Sequence, residues 1–228
     1  MEHKHIRSNR PSEDEHDLYS ELDYSNLNME NIFVTPIWNM EIECDNQEIL
    51  DECYDLKNKF PNGVYKSNER GWQSNVYDIK NIRKHVTPKI QNLAINVRDI
   101  TNDLVEDYAE MTKSSVDYNT EAIGWWININ NGFSYNVYHT HPGCSMIAIY
   151  YAKIPQVVEN EKRLEGQLVL LRQDAMCHNV VFSNIESMCE VCIQPKERHL
   201  YIMPSILGHY VTSHTSNDDR VSIAFNIG

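Results

Sequence analysis

The sequence has no apolar run of about 18 residues, the shortest stretch that indicates a membrane-spanning helix. Its first residues, MEHKHIRSNR, also lack the apolar segment of a secretory signal peptide. We therefore expect no membrane span and a cytoplasmic location, which is the host cytoplasm if a virus encodes the chain. In that compartment the six cysteines are expected to stay reduced.

Basic residues are scarce. The 20 Lys and Arg stand against 33 Asp and Glu, which gives a formal net charge of −13. Binding to a phosphate backbone depends on Lys and Arg, so nucleic acid is not an expected partner. The acidic balance favours protein residues or small cationic metabolites as substrates. The chain also lacks a G-x-S-x-G motif and a glycine-rich phosphate loop, which leaves serine hydrolysis and phosphate cradling without support.

The second half of the chain contains a histidine pattern that is typical of a metal site. His139 and His141 share one face if residues 134–141 form a strand, because side chains alternate between faces. Pro142-Gly143 would end that strand and leave both histidines at the end of a sheet. His209 follows a turn and can supply a third ligand. Imidazole suits iron, nickel, copper and zinc, so the ligands alone do not select the metal.

Four other histidines in the ordered part are weaker candidates. His214 is a rival for His209, but its sequence surroundings indicate a loop. His199 starts a strand and is less well placed. His85 and His178 have no partner at ligand spacing.

A lone C-x-x-C at Cys189 and Cys192 leaves a zinc site open. Cys177 and His178 lie in the same segment, so a Cys3His site is conceivable. A structural zinc site normally needs a second pair, and the interpretation we favour is free thiols in a loop.

An arginine eleven residues past the third histidine suggests an anion site. Arg220 opens the apolar strand 220–227, and Ser222 shares its face. A buried guanidinium needs an anionic partner and can hold a carboxylate with two hydrogen bonds. A metal beside an anchored carboxylate points to a non-haem iron oxygenase that uses 2-oxoglutarate.

The periodicity predicts helices first and strands afterwards. Residues 46–60 have the spacing of a helix, and apolar residues recur every three or four positions from Ile82 to Tyr108. That second pattern is one long helix or a pair broken near Pro88. An extended segment at 32–38 precedes the helices. Strands are predicted near these segments: 122–130, 134–141, 145–153, 166–172, 199–204, 208–213 and 220–227.

This order predicts a mainly β protein with a helical N-terminal layer. The expected fold is a double-stranded β-helix, a cupin-like jelly roll with helices packed on one sheet. Residues 1–30 are expected to be a flexible acidic tail and 31–228 a single domain. Within that domain, 174–196 is expected to be a lid or insertion.

Four blocks of sequence resemble a known family. They are Phe33–Trp38, Gly71–Ser74, a stretch from Trp126 through His141-Pro142-Gly143 to Leu168, and a stretch from Met203 through His209 to Asn226. Together they are similar to 2-oxoglutarate and Fe(II)-dependent oxygenases of a group with many phage and marine bacterial members.

The resemblance implies a metal held by His139, His141 and His209 at the mouth of the double-stranded β-helix. It also implies that Arg220 and Ser222 hold 2-oxoglutarate and that Asn136 adds a polar contact to this cosubstrate. The implied reaction couples decarboxylation of 2-oxoglutarate to oxidation of a C–H bond in a small molecule or a protein residue. A homodimer is possible.

The sequence departs from the wider superfamily at the second ligand. That superfamily has H-x-D or H-x-E, whereas this chain has His141. Three neutral imidazoles leave the site one unit more positive. Two alternatives therefore stay open: a three-His cupin-like dioxygenase without 2-oxoglutarate, in which Arg220 binds the substrate, and a non-catalytic binding module on the same barrel.

Overall fold

Two helices form the N-terminal layer of the protein. The computed structural model describes residues 35–79, 88–113, 123–156, 165–171 and 190–228. Helix α1 spans Asn46–Lys59, and the Asp45 side chain caps it by accepting the backbone N–H of Glu48. Helix α2 spans Pro88–Thr112. Neither helix in these ranges combines the length and apolar character that crossing a bilayer requires.

Helix α2 starts at the proline near which the sequence allowed a break between two helices; residues 80–87, which would hold the first of them, lie outside the described ranges. The helix begins at Pro88, which fits the first helical turn because the missing proline N–H needs no partner there. The Glu52 carboxylate on α1 accepts the backbone N–H groups of Lys89 and Ile90 at 3.0 to 3.1 Å. Glu52 thus satisfies two of the free donors of α2 and fixes one helix to the other.

The described ranges contain twelve strands. They are β1 Trp38–Glu41, β2 Asn68–Glu69, β3 Trp72–Gln73, β4 Tyr77–Asp78, β5 Ile123–Asn130, β6 Tyr135–His139, β7 Met146–Lys153, β8 Leu168–Leu171, β9 Glu190–Ile193, β10 His199–Pro204, β11 His209–Val211 and β12 Arg220–Ile227.

The strands form two antiparallel sheets. The larger sheet has the order β1-β10-β7-β12-β5-β3, with β4 also paired to β5. The smaller sheet has the order β2-β6-β11-β8-β9. The predicted mainly β architecture, a jelly roll with helices on one sheet, is confirmed.

The central strands of the larger sheet have two different apolar faces. On β12, Ile223 and Phe225 belong to the core that includes residues of both helices. On β7, Ile147 and Tyr151 belong to a second core that is shared with residues of the smaller sheet. Because strand residues alternate between faces, the other face of β12 carries Arg220 towards that second core, where it lines a cavity.

The strand predictions differ from the structure mainly at short elements. Strands β10 and β12 have the predicted bounds, whereas the first strand lies at Trp38–Glu41, at the end of the predicted extended segment. Strands of two residues such as β2 carry no readable periodicity. Strand β9 pairs with β8 and so shortens the predicted 174–196 insertion at its C-terminal end. Residues 172–189 lie outside the described ranges, as does the predicted tail, so the lid and the tail remain predictions.

We predict that Glu52→Ala lowers the free energy of unfolding by about 1 kcal/mol, the usual cost of losing a helix N-terminal cap. Urea unfolding measures this. Glu52→Gln keeps an acceptor oxygen and is expected to lose less. The control is Glu106→Ala, at an exposed residue of α2, and equal losses at the two glutamates would contradict the capping role of Glu52.

Candidate metal centre

Three imidazole rings meet at one end of the space between the sheets. His139 is the last residue of β6, His209 is the first residue of β11, and the two are direct cross-strand partners. Their rings and that of His141 have centroids 4.4 to 5.2 Å apart. One ligand atom from each ring lies within 4.8 Å of the others. The structure thus brings together the three histidines that the sequence predicts as metal ligands.

His141 reaches the cluster by a different route from the one expected. Strand β6 ends at His139, so His141 lies beyond the strand and not on it. Its backbone N–H donates to the Ser205 carbonyl at 3.0 Å, which holds the segment against the turn before β11. Its ring stacks on that of His209 with an interplanar angle of 3°.

A β-bulge explains how Asn136 and His139, three residues apart, face the same cavity. Asn136 pairs with Val211 and His139 pairs with His209, so β6 uses three steps where β11 uses two. The extra residue in β6 reverses the alternation of side chains between these two positions. Strict alternation would have placed them on opposite faces.

Glycine is required where β6 and β11 approach each other. A Cβ at Gly208, which precedes His209, would meet the Tyr138 ring at 2.5 to 2.8 Å. The Tyr138 ring therefore lies directly over the Gly208 backbone. This close contact involves the neighbours of both His139 and His209 and helps to fix their spacing.

Backbone carbonyls set the tautomer of two of the rings. Nδ1 of His139 lies 2.7 Å from the Val137 carbonyl oxygen, and Nδ1 of His209 lies 2.9 Å from that of Leu207. A carbonyl oxygen can only accept, so each Nδ1 carries the proton and donates it. Nε2 of each ring is left with its lone pair free for a metal ion.

All three rings are neutral at physiological pH. Burial lowers the pKa of His139, lowers that of His209 to about 4 and lowers that of His141 to about 3. The neighbouring rings add to the effect at His141 and His209, because two imidazolium charges so close would repel each other. Neutral imidazole is the form that binds a metal, so the cluster needs no deprotonation at pH 7.

Arg220 lies on the same cavity with its charge uncompensated. The residue is 2 % exposed, and burial lowers the pKa of its guanidinium to about 10. Nη1 donates to the Thr212 carbonyl at 3.3 Å, and Nη2 donates to Asn136 Oδ1 at 3.5 Å. Among the described residues, no Asp or Glu forms an ion pair with it. Both hydrogen bonds are long and go to uncharged groups, so the positive charge of Arg220 still requires an anion to balance it.

Polar side chains from three strands surround Arg220. Ser222 lies two residues further on β12, and its cross-strand partners are Asn128 on β5 and Tyr151 on β7. All of them line the cavity. Burial raises the pKa of Tyr151, so its phenol stays protonated and can donate a hydrogen bond. Asn128 Oδ1 is buried and has no hydrogen-bond partner in the described part of the chain.

Asn128 and Tyr151 are site residues that were not predicted from the sequence. The signal that could have found them is their register opposite Ser222, which requires knowing the order of strands in the sheet. Asn136, which was assigned, accepts a hydrogen bond from Asn130 Nδ2 at 2.9 Å in addition to the one from Arg220. That second contact holds the Asn136 oxygen towards the guanidinium.

The rival ligands lie elsewhere. His214 is fully buried, and its Nε2 donates to the Asn130 carbonyl at 3.2 Å, away from the three-His cluster. His199 Nδ1 lies 3.0 Å from the Glu197 carbonyl. Cys192 is exposed on β9. The other residues weighed as ligands lie outside the described ranges: His85, Cys177, His178 and Cys189.

Comparison with known proteins identifies the family of this region. Residues 124–226 match the family described as "Putative 2OG-Fe(II) oxygenase". They include all three histidines, Arg220 and the strands that carry them. No sequence among curated proteins matches the chain significantly. The predicted family, its Fe(II) and 2-oxoglutarate cofactors and its oxygenase activity are thus confirmed for this part of the chain.

Solved structures share the fold. A Pseudomonas putida prolyl-4-hydroxylase superposes with a TM-score of 0.53 at 10% identity, over 84% of this chain and 91% of that one. A Trichoplax adhaerens prolyl hydroxylase, in complex with a hypoxia inducible factor peptide fragment, gives 0.51 at 14%, over 85% and 82%. The carbocyclase SnoK from nogalamycin biosynthesis gives 0.51 at 10%, over 85% and 79%. These identities support the fold and not a shared substrate.

The lowered histidine pKa values predict that acid destabilises the apoprotein. Histidines in the unfolded chain take up protons below pH about 6.5, whereas the three buried rings resist protonation until a lower pH. The free energy of unfolding is therefore expected to fall as the pH drops from about 6.5 towards 4. Urea unfolding at several pH values measures this slope.

His141→Gln removes one of the three rings and should give a shallower slope than the wild type. His199→Gln, at a histidine outside the cluster, is the matched control. Equal slopes in the wild type and His141→Gln would contradict the assignment of the acid sensitivity to these buried rings.

Proposed function

We propose that this chain, whose residues 124–226 are a 2OG-Fe(II) oxygenase domain, is a hydroxylase that binds Fe(II) through His139, His141 and His209. Arg220 holds 2-oxoglutarate in the same cavity. The observation that carries the proposal is the buried guanidinium, which lacks an ion pair among the described residues and shares its cavity with three neutral imidazoles.

The residues present fit the metal. Three neutral nitrogen donors within 4.8 Å of one another suit a divalent transition metal, and none of them has to lose a proton first. Three protein ligands leave other positions of the ion open for a cosubstrate and oxygen. Bound Fe(II) would activate O2, which is the oxidant: one oxygen atom would enter the C–H bond of the substrate as a hydroxyl group, and the other would convert 2-oxoglutarate to succinate and carbon dioxide.

The residues around Arg220 fit a carboxylate. A carboxylate against the guanidinium would supply the missing negative charge and accept two parallel hydrogen bonds. The Ser222 and Tyr151 hydroxyls can donate further bonds, since both line the same cavity. Asn136 Oδ1 only accepts, so its role is to orient the guanidinium through Nη2.

The inner part of the cavity is shielded from water, whereas His139 and His141 are half-buried at its outer end. His209 and Arg220 are almost fully buried, and Trp126 and Ile149 add apolar walls to the cavity. A dry cavity strengthens the interaction of Arg220 with an anion because the local dielectric constant is low. Fixed ligands and a shaped cavity are what the protein contributes to the oxidation.

A C–H bond of a protein residue or of a small molecule is the proposed target. Two of the structures with the same fold are prolyl hydroxylases and one is a carbocyclase. The net charge of −13 favours a neutral or cationic substrate over a nucleic acid.

A second candidate is a three-His dioxygenase that needs no 2-oxoglutarate. The observation that favours it is the absence of a carboxylate ligand beside the histidine cluster in the part of the chain that the structure describes. In that case Arg220 binds an anionic substrate directly. Oxygen uptake with substrate and without 2-oxoglutarate distinguishes this reaction from the proposed one.

Anaerobic titration of the apoprotein with Fe(II) and then 2-oxoglutarate tests the site. We expect a weak visible charge-transfer band from the iron–keto acid complex. His209→Ala should weaken metal binding strongly and abolish the band. Arg220→Ala should keep metal binding but weaken 2-oxoglutarate binding about 100-fold, since removing one partner of a buried charge pair costs about 2–5 kcal/mol.

Arg98→Ala is the matched control, because Arg98 pairs with Asp99 on the surface of α2 and should leave both affinities unchanged. Metal binding without the band in the wild type would favour the three-His dioxygenase. No metal binding at all would leave a binding module on the same barrel.

A further inference from the structure

We propose that Asn226 and Trp126 position the His141 ring as a metal ligand, with Asn226 Oδ1 accepting the ring N–H and the Trp126 indole holding the ring plane. The inference rests on the proposed function, because it concerns the same metal. It assigns a role to two residues outside the ligand set and makes His141 the ligand that depends on a second strand for its orientation.

The other two ligands are oriented by their own strands or turns. The rings of His139 and His209 each bond the carbonyl of the residue two positions earlier. No such carbonyl bonds the His141 ring among the described hydrogen bonds, and His141 lies beyond the end of β6. A ligand that follows a strand end has no pleat to fix its direction, so its partner has to come from elsewhere.

Asn226 is placed to be that partner. It lies on β12, on the same alternating face as Ser222 and Ala224, which line the cavity. Trp126, whose ring stacks on His141, is the cross-strand partner of Ala224, so Asn226 lies two residues from that pair on the same face. Its Oδ1 is buried and has no hydrogen-bond partner among the residues that the structure describes. A hydrogen bond from the His141 ring N–H to this oxygen would satisfy both the buried acceptor and the ring donor.

Trp126 restrains the ring in a second direction. Its indole is 9 % exposed and stacks on His141 with centroids 5.6 Å apart and an interplanar angle of 20°. His141 also stacks on His209, with centroids 5.2 Å apart. Stacking fixes the plane of an imidazole but permits rotation within it. A hydrogen bond from one ring nitrogen fixes that rotation, so the two contacts are complementary.

The consequence is a ligand set whose geometry is fixed before the metal binds. Partners that orient metal-binding histidines change metal affinity about 10–100-fold when they are removed. The sequence predicts Asn226 only as part of the apolar strand that starts at Arg220, and Trp126 only as the start of a block that resembles the family. Their neighbouring positions on the side of His141 appear only when β5 and β12 are paired.

Titration of the full-length apoprotein with Co(II), followed by its visible absorption, tests the proposal without turnover. Asn226→Leu keeps the size of the side chain but removes the acceptor, and we expect Co(II) affinity to fall about tenfold. Asn226→Asp keeps an acceptor and is expected to bind Co(II) at least as tightly as the wild type. Equal affinities in the Leu and Asp variants would overturn the role of Asn226.

Trp126→Ala is expected to weaken Co(II) binding and Trp126→Phe to restore it, since phenylalanine keeps a stacking face. Wild-type affinity in Trp126→Ala would overturn the role of Trp126. Asn39→Ala, at an exposed residue of β1, is the control for a general effect of losing an amide.

A double-mutant cycle separates positioning from loss of stability. In the His141→Ala background, Asn226→Leu should not weaken Co(II) binding further, because the ring it positions is absent. An additional tenfold loss in that background would overturn the proposal. The failures are also distinguishable: a wild-type protein that does not bind Co(II) contradicts the proposed function, whereas tight wild-type binding with an unaffected Asn226→Leu contradicts only this inference.

Discussion

The buried positive charge of Arg220 is the constraint on which the rest of the site depends. A guanidinium at 2 % exposure without a carboxylate partner among the described residues costs stability in the empty protein. The charge lies at the first residue of β12, a strand whose remaining residues are almost all buried. Two long, neutral hydrogen bonds hold the side chain in place without neutralising it. The cavity therefore contains a fixed positive charge that a bound anion would neutralise.

The two-faced character of the central strands determines where that anion can bind. Alternate residues of β12 serve the helix-covered core and the cavity between the sheets, and β5 and β7 do the same on either side of it. The backbone at each residue that faces the cavity is thereby held in place by buried apolar neighbours on the opposite face. A site on such rigid strands holds its geometry better than one on loops. His141, which lies outside a strand, is the exception that needs additional contacts.

Much of the fold and the ligand set could be predicted from the sequence, for identifiable reasons. Long strands such as β12 and β7 carry enough apolar residues to reveal their period, and the histidine spacing survives small errors in strand bounds. The β6 bulge could not be predicted, because one inserted residue changes which face Asn136 occupies without changing composition. The roles of Asn128 and Tyr151 depend on pairing between strands far apart in sequence. The lid that is predicted for residues 174–189 stays a prediction, because these residues lie outside the described ranges.

The replacement of a carboxylate ligand by His141 changes the balance of charge and not only the identity of one ligand. A divalent metal held by three neutral imidazoles carries a charge of +2, and Arg220 adds a further positive charge on the same cavity. A doubly negative 2-oxoglutarate would reduce this total of three to one, whereas a carboxylate ligand would have brought it to zero. Compared with a site that has a carboxylate ligand, the three-imidazole site has one more unit of positive charge, which strengthens its attraction for the anionic cosubstrate in a low-dielectric cavity. It also increases the repulsion between the metal and any protonated ligand, which is why the neutrality that burial imposes on His141 and His209 matters for binding.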